Sequence, residues 1–250
     1  MSTHPRLGVN VDHVTTLRQA RGEDYPCIKR ALKECLENGA DQITIHLRED
    51  RRHIQDEDCP IVRNITKDYN KLFNLELATA KDVINTAIHC SPDWVCIVPE
   101  KREERTTEGG LNLKDKSAFQ STAKTIDILR SNIKDVKISL FLEANLETNK
   151  LAQQLGPEAI EIHTGEFAKQ FLSGSDKIRN SIEEFITVQK YLVDNNIHCH
   201  AGHGLTQEML PSLLELKIFE EYNIGHWIIS ESIFRGLATV VKDLSEIIKK

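Results

Sequence analysis

Ile43-Thr44-Ile45-His46-Leu47-Arg48-Glu49-Asp50-Arg51-Arg52-His53 holds two patterns in one short run. Side chains of a strand point alternately to opposite faces, so Gln42, Thr44 and His46 share one side and Ile43, Ile45 and Leu47 the other. The apolar side packs, and the polar side must look into something. The run then becomes a turn with three arginines, two carboxylates and a second histidine, more ionisable chemistry than a connector needs. Such a cluster suggests a site for a phosphorylated substrate handled by acid-base chemistry; the plain alternative is a charged surface turn.

The same alternation recurs on both sides of this run. Residues 7–13 put Asn10 and Asp12 opposite Val9 and Val11, and a loop with Arg18, Arg21 and Gly22 is expected next. Pro26 opens a helix whose Ile28, Ala31, Leu32, Cys35 and Leu36 fall at i, i+3, i+4, i+7 and i+8, and Gly39 ends it. A second helix is expected over residues 56–64, with Pro60 near its start. Residues 73–77 set Asn74 and Glu76 against Phe73, Leu75 and Leu77. Thr79-Ala80-Lys81-Asp82 then has capping-box spacing before a helix carrying Val83, Ile84, Ala87 and Ile88 on one side.

A fourth strand runs over residues 94–98 to Pro99. Its long charged loop, residues 100–112, contains Thr106-Thr107-Glu108-Gly109-Gly110, and residues 101–110 are expected to act as a lid. A helix within 116–131, a strand over 137–142 and a helix over 145–155 stopped by Gly156-Pro157 follow. Strand six, 159–165, sets Glu161 and His163 against Ile160 and Ile162, and helical character is strongest over 181–194. Strand seven, 197–204, runs into a glycine turn, and Thr206 caps a short helix. Strand eight ends around Ile224-Gly225-His226 or continues to Ile229, before a last helix with Ile233, Leu237, Val240, Val241, Leu244 and Ile248.

Eight strand-helix units in 250 residues are what a parallel (β/α)8 barrel requires, and we expect residues 1–250 to form one such domain. A doubly wound open sheet is the alternative. Its strands, buried on both faces, would read as nearly continuous apolar runs, whereas six of these strands carry a polar face. A 40% hydrophobic content suffices for one large core. A net charge of −6 argues against nucleic-acid or anionic-membrane partners. Six cysteines without a CxxC pair, a polar start and no apolar run of membrane length make the cytoplasm the expected address.

Barrel enzymes build their sites at the C-terminal ends of the strands. Asn10, Asp12 and His13 fall there after strand one; His46, Arg48 and His53 after two; Glu76 at three; Thr106 and Thr107 beyond four; Glu143 at five; Glu161 and His163 at six; His203 at seven; His226 at eight. A ring of histidines with carboxylates suits repeated proton transfer near neutrality. His198 and His200 could ligate a metal, but they fall within strand seven and no HExxH or Cys/His spacing supports them, so no metal is expected. The glycine turns Gly202-His203-Gly204 and Gly225-His226 follow strands seven and eight, where backbone amides of barrels often face phosphate.

Nine stretches carry a close resemblance to the pyridoxine 5'-phosphate synthase family. They are Gly8-Val9-Asn10-Val11-Asp12-His13, Leu17-Arg18-Gln19-Ala20-Arg21-Gly22, His46 to His53, Asn74-Leu75-Glu76, Val98-Pro99-Glu100-Lys101-Arg102, Thr106 to Gly110, Ile160 to Gly165, Ala201-Gly202-His203-Gly204-Leu205 and Asn223-Ile224-Gly225-His226. They run in order through nearly the whole chain. The resemblance implies a cofactor-free barrel enzyme, a homo-oligomer and by family habit an octamer, that joins 1-deoxy-D-xylulose 5-phosphate to 3-amino-2-oxopropyl phosphate with loss of inorganic phosphate and water. It implies His46 and Glu76 as proton acceptors, His203 as proton donor and Glu161 as transition-state stabiliser. Asp12, His13, Arg48, His53 and Thr106 would hold the deoxyxylulose phosphate; Asn10, Arg21, Gly204, Gly225 and His226 would hold the aminoketone phosphate. The sequence departs from the family at His200, where asparagine is expected, and at Trp227, where a small residue is usual. The rivals are a barrel that only binds a phosphorylated metabolite and a metal-dependent barrel aldolase or hydrolase.

Overall fold

The structure, a computed structural model, describes residues 4–100 and 109–250, so Thr106 and nearly all of the expected lid lie outside the described residues. Eight parallel strands close into a barrel in sequence order, β1 pairing with both β2 and β8. The first half of the chain runs β1 (Arg6–Asn10), α1 (Asp12–Arg21), α2 (Ile28–Glu37), β2 (Gln42–His46), α3 (Asp58–Asp68), β3 (Leu72–Leu77), α4 (Lys81–Cys90), β4 (Trp94–Ile97) and α5 (Lys116–Asn132). The second runs β5 (Lys137–Leu142), α6 (Leu146–Gln153), β6 (Ala159–His163), α7 (Gly165–Leu172), α8 (Ile178–Asp194), β7 (His198–Gly202), α9 (Leu210–Leu214), β8 (Glu221–Ile224), α10 (His226–Arg235) and α11 (Leu237–Ile248). This is the (β/α)8 architecture, not the open sheet.

Alternation along the strands sorts two environments. Leu7, Val9, Ile43, Ile45, Phe73, Leu75, Ile138, Leu140, Ile160 and Ile162 point outward, and all are inaccessible beneath the helices. Helix α2 shows why that shell holds: its five apolar residues at helical spacing are all buried, each worth about 1.5–3 kcal/mol for the larger side chains. Helix α11 buries Val240, Val241, Leu244 and Ile248 and packs on α2 and β1 where the barrel closes. The barrel interior, by contrast, holds Gln42, Thr44, Asn74, Ser139, Glu161, His200, Glu221 and Asn223, all buried. Its apolar part is the small separate cluster of Cys96, Val98 and Phe141.

Several sequence expectations are corrected. The loop expected around Arg18 and Arg21 is helix α1, stopped by Gly22 in the left-handed region at φ 68° with its N–H donating to Arg18 O. Its periodicity was faint because it buries Asp12 and Thr15 rather than an apolar stripe. Arg18 clamps it to α3, Nη1 and Nη2 donating to Asp58 Oδ1 and Oδ2 at 2.8 and 2.6 Å. Helix α3 starts two residues later than expected and runs four further. The capping box is not formed: Ala80 is the N-cap of α4 and no side chain caps it. Thr206 does not cap α9 either; Met209 holds that position, and Thr206 Oγ1 has no hydrogen-bond partner. Strand eight stops at Ile224, Trp227 to Ile229 belong to α10, and Gly236 divides the expected last helix in two.

Candidate active site

At the C-terminal mouth of the barrel is a cavity of about 370 Å³. Asn10, Asp12, His13, His46, Arg48, His53, Glu76, Glu161, His203, Gly204, Gly225 and His226 all line it. Arg21 does not, being exposed in the last turn of α1. Val98, Phe141, Leu205, Asn223 and Trp227 line it too, and none of these was singled out as a site residue from the sequence. Asn223 had a signal: it lies two residues from Glu221 on one face of β8.

The first wall is built by Asp12. Asn10 and Asp12 exchange two bonds, Asp12 N donating to Asn10 Oδ1 and Asn10 Nδ2 to Asp12 Oδ2, both at 2.9 Å. Asp12 Oδ1 then accepts from His46 N at 2.8 Å, which ties the start of α1 to the end of β2. Burial raises the Asp12 carboxyl, and His46, Asn10 and Arg48 offset part of that rise. Next to it Thr16 Oγ1 lies 2.9 Å from His53 Nδ1 and 3.3 Å from His13 Nδ1. The His13 ring packs 5.7 Å from that of His53 and 5.0 Å from that of His226, so the first turns of α1 and α10 and the loop after β2 bring three imidazoles together. Burial lowers His13, and burial with neighbouring positive groups pushes His53 down to about 4.

The arginine-rich turn divides its labour. Arg51 holds the turn, Nε donating to Asp56 at 3.0 Å and Nη1 to Asp82 at 2.9 Å, while Arg52 Nε donates to Asp50 at 2.7 Å. Arg48 alone of the three lines the cavity, 3% exposed, with Nε 3.6 Å from Glu100 Oε1. Glu100 Oε2 also lies 3.8 Å from His46 Nε2, so a carboxylate sits between two groups expected to meet substrate.

His46 and Glu76 are register partners on β2 and β3, and His46 Nδ1 is 3.8 Å from Glu76 Oε2. Burial first, then the charges of Glu161 and Asp12, lift Glu76 well above the usual carboxylate range. Burial and Glu221 push Glu161 up to about 8. Across the mouth His163 Nδ1 donates to Glu143 Oε1 at 2.7 Å, and its ring lies 4.9 Å from that of His203. His203 and Gly204 both adopt left-handed backbone, φ 75° and 76°. For a histidine that conformation is uncommon, and it aims the ring into the cavity. Burial and the nearby His163 and Lys169 push His203 down to about 4.

Neither His198 nor His200 reaches this mouth. His198 is exposed and donates from Nδ1 to Glu220 Oε2 at 2.7 Å; His200 is buried at the other end of the barrel, its ring 5.5 Å from Trp94. Among the described residues, Asp12, His46 and Glu76 form a group whose ligand atoms lie within 4.8 Å of one another, a metal geometry that the sequence did not suggest. Both Asp12 oxygens already accept hydrogen bonds, whereas His46 Nδ1 and Glu76 Oε2 stand 3.8 Å apart, close but beyond hydrogen-bonding distance.

The family model of the pyridoxal phosphate biosynthesis protein PdxJ matches residues 7–250. The pyridoxine 5'-phosphate synthase of Sulfurihydrogenibium sp. is 41% identical over 248 residues, covering 97% of each chain. That of Coxiella burnetii is 42% identical over 244 residues, covering 97% of this chain and 98% of its own. Among solved structures, thiamine phosphate pyrophosphorylase from Pyrococcus furiosus superposes with a TM-score of 0.60 at 16% identity, over 98% of this chain and 95% of its own, a likeness of fold alone.

Proposed function

The chain belongs to the pyridoxal phosphate biosynthesis protein PdxJ family, enzymes of the vitamin B6 route, and we propose that it condenses 1-deoxy-D-xylulose 5-phosphate with 3-amino-2-oxopropyl phosphate to give pyridoxine 5'-phosphate, inorganic phosphate and water. The observation that carries this reading is the meeting of His46, Glu76 and Glu161, from three strands, with His203, from the turn after a fourth, in one cavity. A barrel that merely held a phosphorylated metabolite would need the arginine and glycine turns but not this acid-base set.

Joining an amine to a ketone, expelling water and phosphate and closing a ring each move protons while two phosphates stay anchored. His46 and Glu76 serve as proton acceptors. A carboxyl raised by burial is a stronger base once ionised than an exposed one. His203 serves as proton donor. Before substrate arrives, His203 and His53 are held neutral, and incoming phosphates add negative charge beside them, which favours the protonated imidazolium. Glu161 stabilises developing negative charge. Asp12, His13, Arg48 and His53, with Thr106, hold the deoxyxylulose phosphate. The aminoketone phosphate takes Asn10, Gly204, Gly225 and His226, the last two at the start of α10, where free backbone amides favour an anion.

Arg21 is off the cavity of its own chain, so its hold on the aminoketone phosphate is read as serving a neighbouring copy in a homo-oligomer, an octamer by the family's habit. All six cysteines are free thiols, which supports a reducing, cytoplasmic address, and no helix among the described residues is long and apolar enough to cross a membrane. Purified protein mixed with both phosphates is expected to release inorganic phosphate and form pyridoxine 5'-phosphate in equal amounts. Binding of both without turnover would leave the metabolite-binding rival standing instead.

A further inference from the structure

Beneath the cavity the barrel interior holds buried groups that have no part in the roles above. Glu221, the first residue of β8, is 1% exposed and points inward. Its Oε2 accepts from Arg6 Nε and its Oε1 from Gln42 Nε2, both at 2.8 Å, and His200 Nδ1 lies 3.5 Å from Oε1. Two residues on, Asn223 donates from Nδ2 to Glu221 Oε1 at 3.1 Å and to Glu161 Oε2 at 2.8 Å. Its Oδ1 accepts from Thr44 Oγ1 at 3.4 Å. Turning the amide over would set its oxygen against two carboxyl groups, so the bridge has one orientation.

Room for this bridge is left on both flanking strands by glycine. Gly8 on β1 and Gly202 on β7 are the register partners of Asn223. A Cβ on Gly8 would stand 1.9 Å from Asn223 Oδ1, and one on Gly202 would stand 1.9 Å from Glu161 Oε1. Any larger residue at either place would expel one end of the bridge.

We propose that Glu221 and Asn223 are positioning residues for the reaction: Asn223 fixes where the Glu161 carboxyl points, and the charge of Glu221 on the barrel floor governs when that carboxyl carries its proton. The proposal rests on the reading of Glu161 as a working group of the cavity. Burial works against charge on Glu221, but His200 and Arg6, with hydrogen bonds from Arg6 and Asn223, keep it below the usual carboxylate range. A fixed negative charge beside a buried carboxyl favours the neutral form of that carboxyl. Glu161 accordingly keeps its proton at neutral pH and can donate to charge developing on substrate, which an ionised carboxylate cannot do. Among the described residues, other titratable groups beside Glu161 include Glu76 from β3, Cys96 from β4, whose thiol burial holds protonated, and His200, its register partner on β7. His200 and Arg6 meet Glu221 itself.

The test follows Glu161 directly, by carbon-13 NMR of the full chain carrying carboxyl-labelled glutamate, its signal identified by loss in Glu161→Gln. Glu221→Gln keeps the shape and removes the charge; it is expected to lower the Glu161 titration by about one pH unit or more. Asn223→Ala removes the donor to Glu161 and is expected to raise it by about half a unit. A general loosening of the barrel would not move the two variants in opposite directions. The alkaline limb of kcat should follow both shifts, with KM for the two phosphates in Glu221→Gln within about twofold of the original. Unchanged titration in both variants, or shifts of the same sign, overturns the proposal. Titrations that shift as stated beside an unmoved kcat profile overturn the premise that Glu161 works in the reaction. If Glu221→Gln does not fold, Asn223→Ala decides alone, and the absence of an upward shift sinks the idea.

Discussion

His46 and Glu76 stand as neighbours because the register of β2 and β3 makes them so, and the different duties proposed for them and for Arg48 lead to different kinetic signatures. Glu76→Gln and His46→Ala are expected to lower kcat by about two to four orders of magnitude, the usual general acid-base contribution, with the fold kept. Arg48→Ala removes the anchor proposed for the deoxyxylulose phosphate, which would act before and during reaction, so it should chiefly raise KM for that substrate. Near-normal turnover in Glu76→Gln, with Arg48→Ala dead at saturating substrate, would reverse the two assignments. Because Asp12, His46 and Glu76 have an arrangement that could take a cation, chelation is a sharp control. Activity is expected to survive it, and loss restored by a divalent ion would turn these three into ligands. These inward-facing residues were legible in the sequence, since alternation with period two places them on a polar face. Asn223 carried only the weak signal of its spacing from Glu221, because β8 is four residues long and runs directly into an apolar helix.

Strands and helices were easier to recognise than their ends. The eight strands and helix α2 announce themselves by period, whereas α1 buries polar residues and looked like a loop. Capping was misjudged at Thr79 and Thr206 because both have the right chemistry but neither is the residue where its helix begins. Close packing at strand ends gives an element-level test. Gly202→Ala would drive a Cβ into Glu161, and an overpacked interior typically costs about 1–3 kcal/mol. Gly174, between α7 and α8, has φ 62° but nothing within 4 Å of its Cβ position, so Gly174→Ala should cost only the backbone strain, on the order of 1 kcal/mol. Denaturant melts together with kcat separate the two. Only Gly202→Ala should also lose turnover, and equal effects on both measurements would remove Glu161 from its place over Gly202.

Buried ionisable groups also tie the stability of the whole barrel to pH. Glu161 titrates near 8 in the folded protein and near 4.5 when unfolded, so between those values the folded state holds the extra proton and stability falls as pH rises. His53 and His203 act in the opposite sense: lowered from 6.5 to about 4, they bind protons first in the unfolded chain, and stability is lost as pH falls through that window. From pH 6 to 8 the protein should lose on the order of 2 kcal/mol more than Glu161→Gln does, measured by denaturant midpoints. Equal losses would mean that Glu161 is not held protonated. Helices α1 and α10 pack together and expose Leu17, Ile233 and Phe234, the last 85% accessible, a surface suited to burial between copies. Light scattering is expected to show an oligomer, and a stable, fully active monomer would contradict both that expectation and the role given to Arg21. The sequence settled the barrel, its polar lining and most residues of its mouth, because strand periodicity and motif order are local properties written along the chain. It could not place Arg21 outside the cavity, set Glu100 against Arg48 and His46, or join Glu221 through Asn223 to Glu161. Those relations arise where segments distant in sequence pack around one barrel interior, and that packing alone brings such residues within a few ångströms of one another.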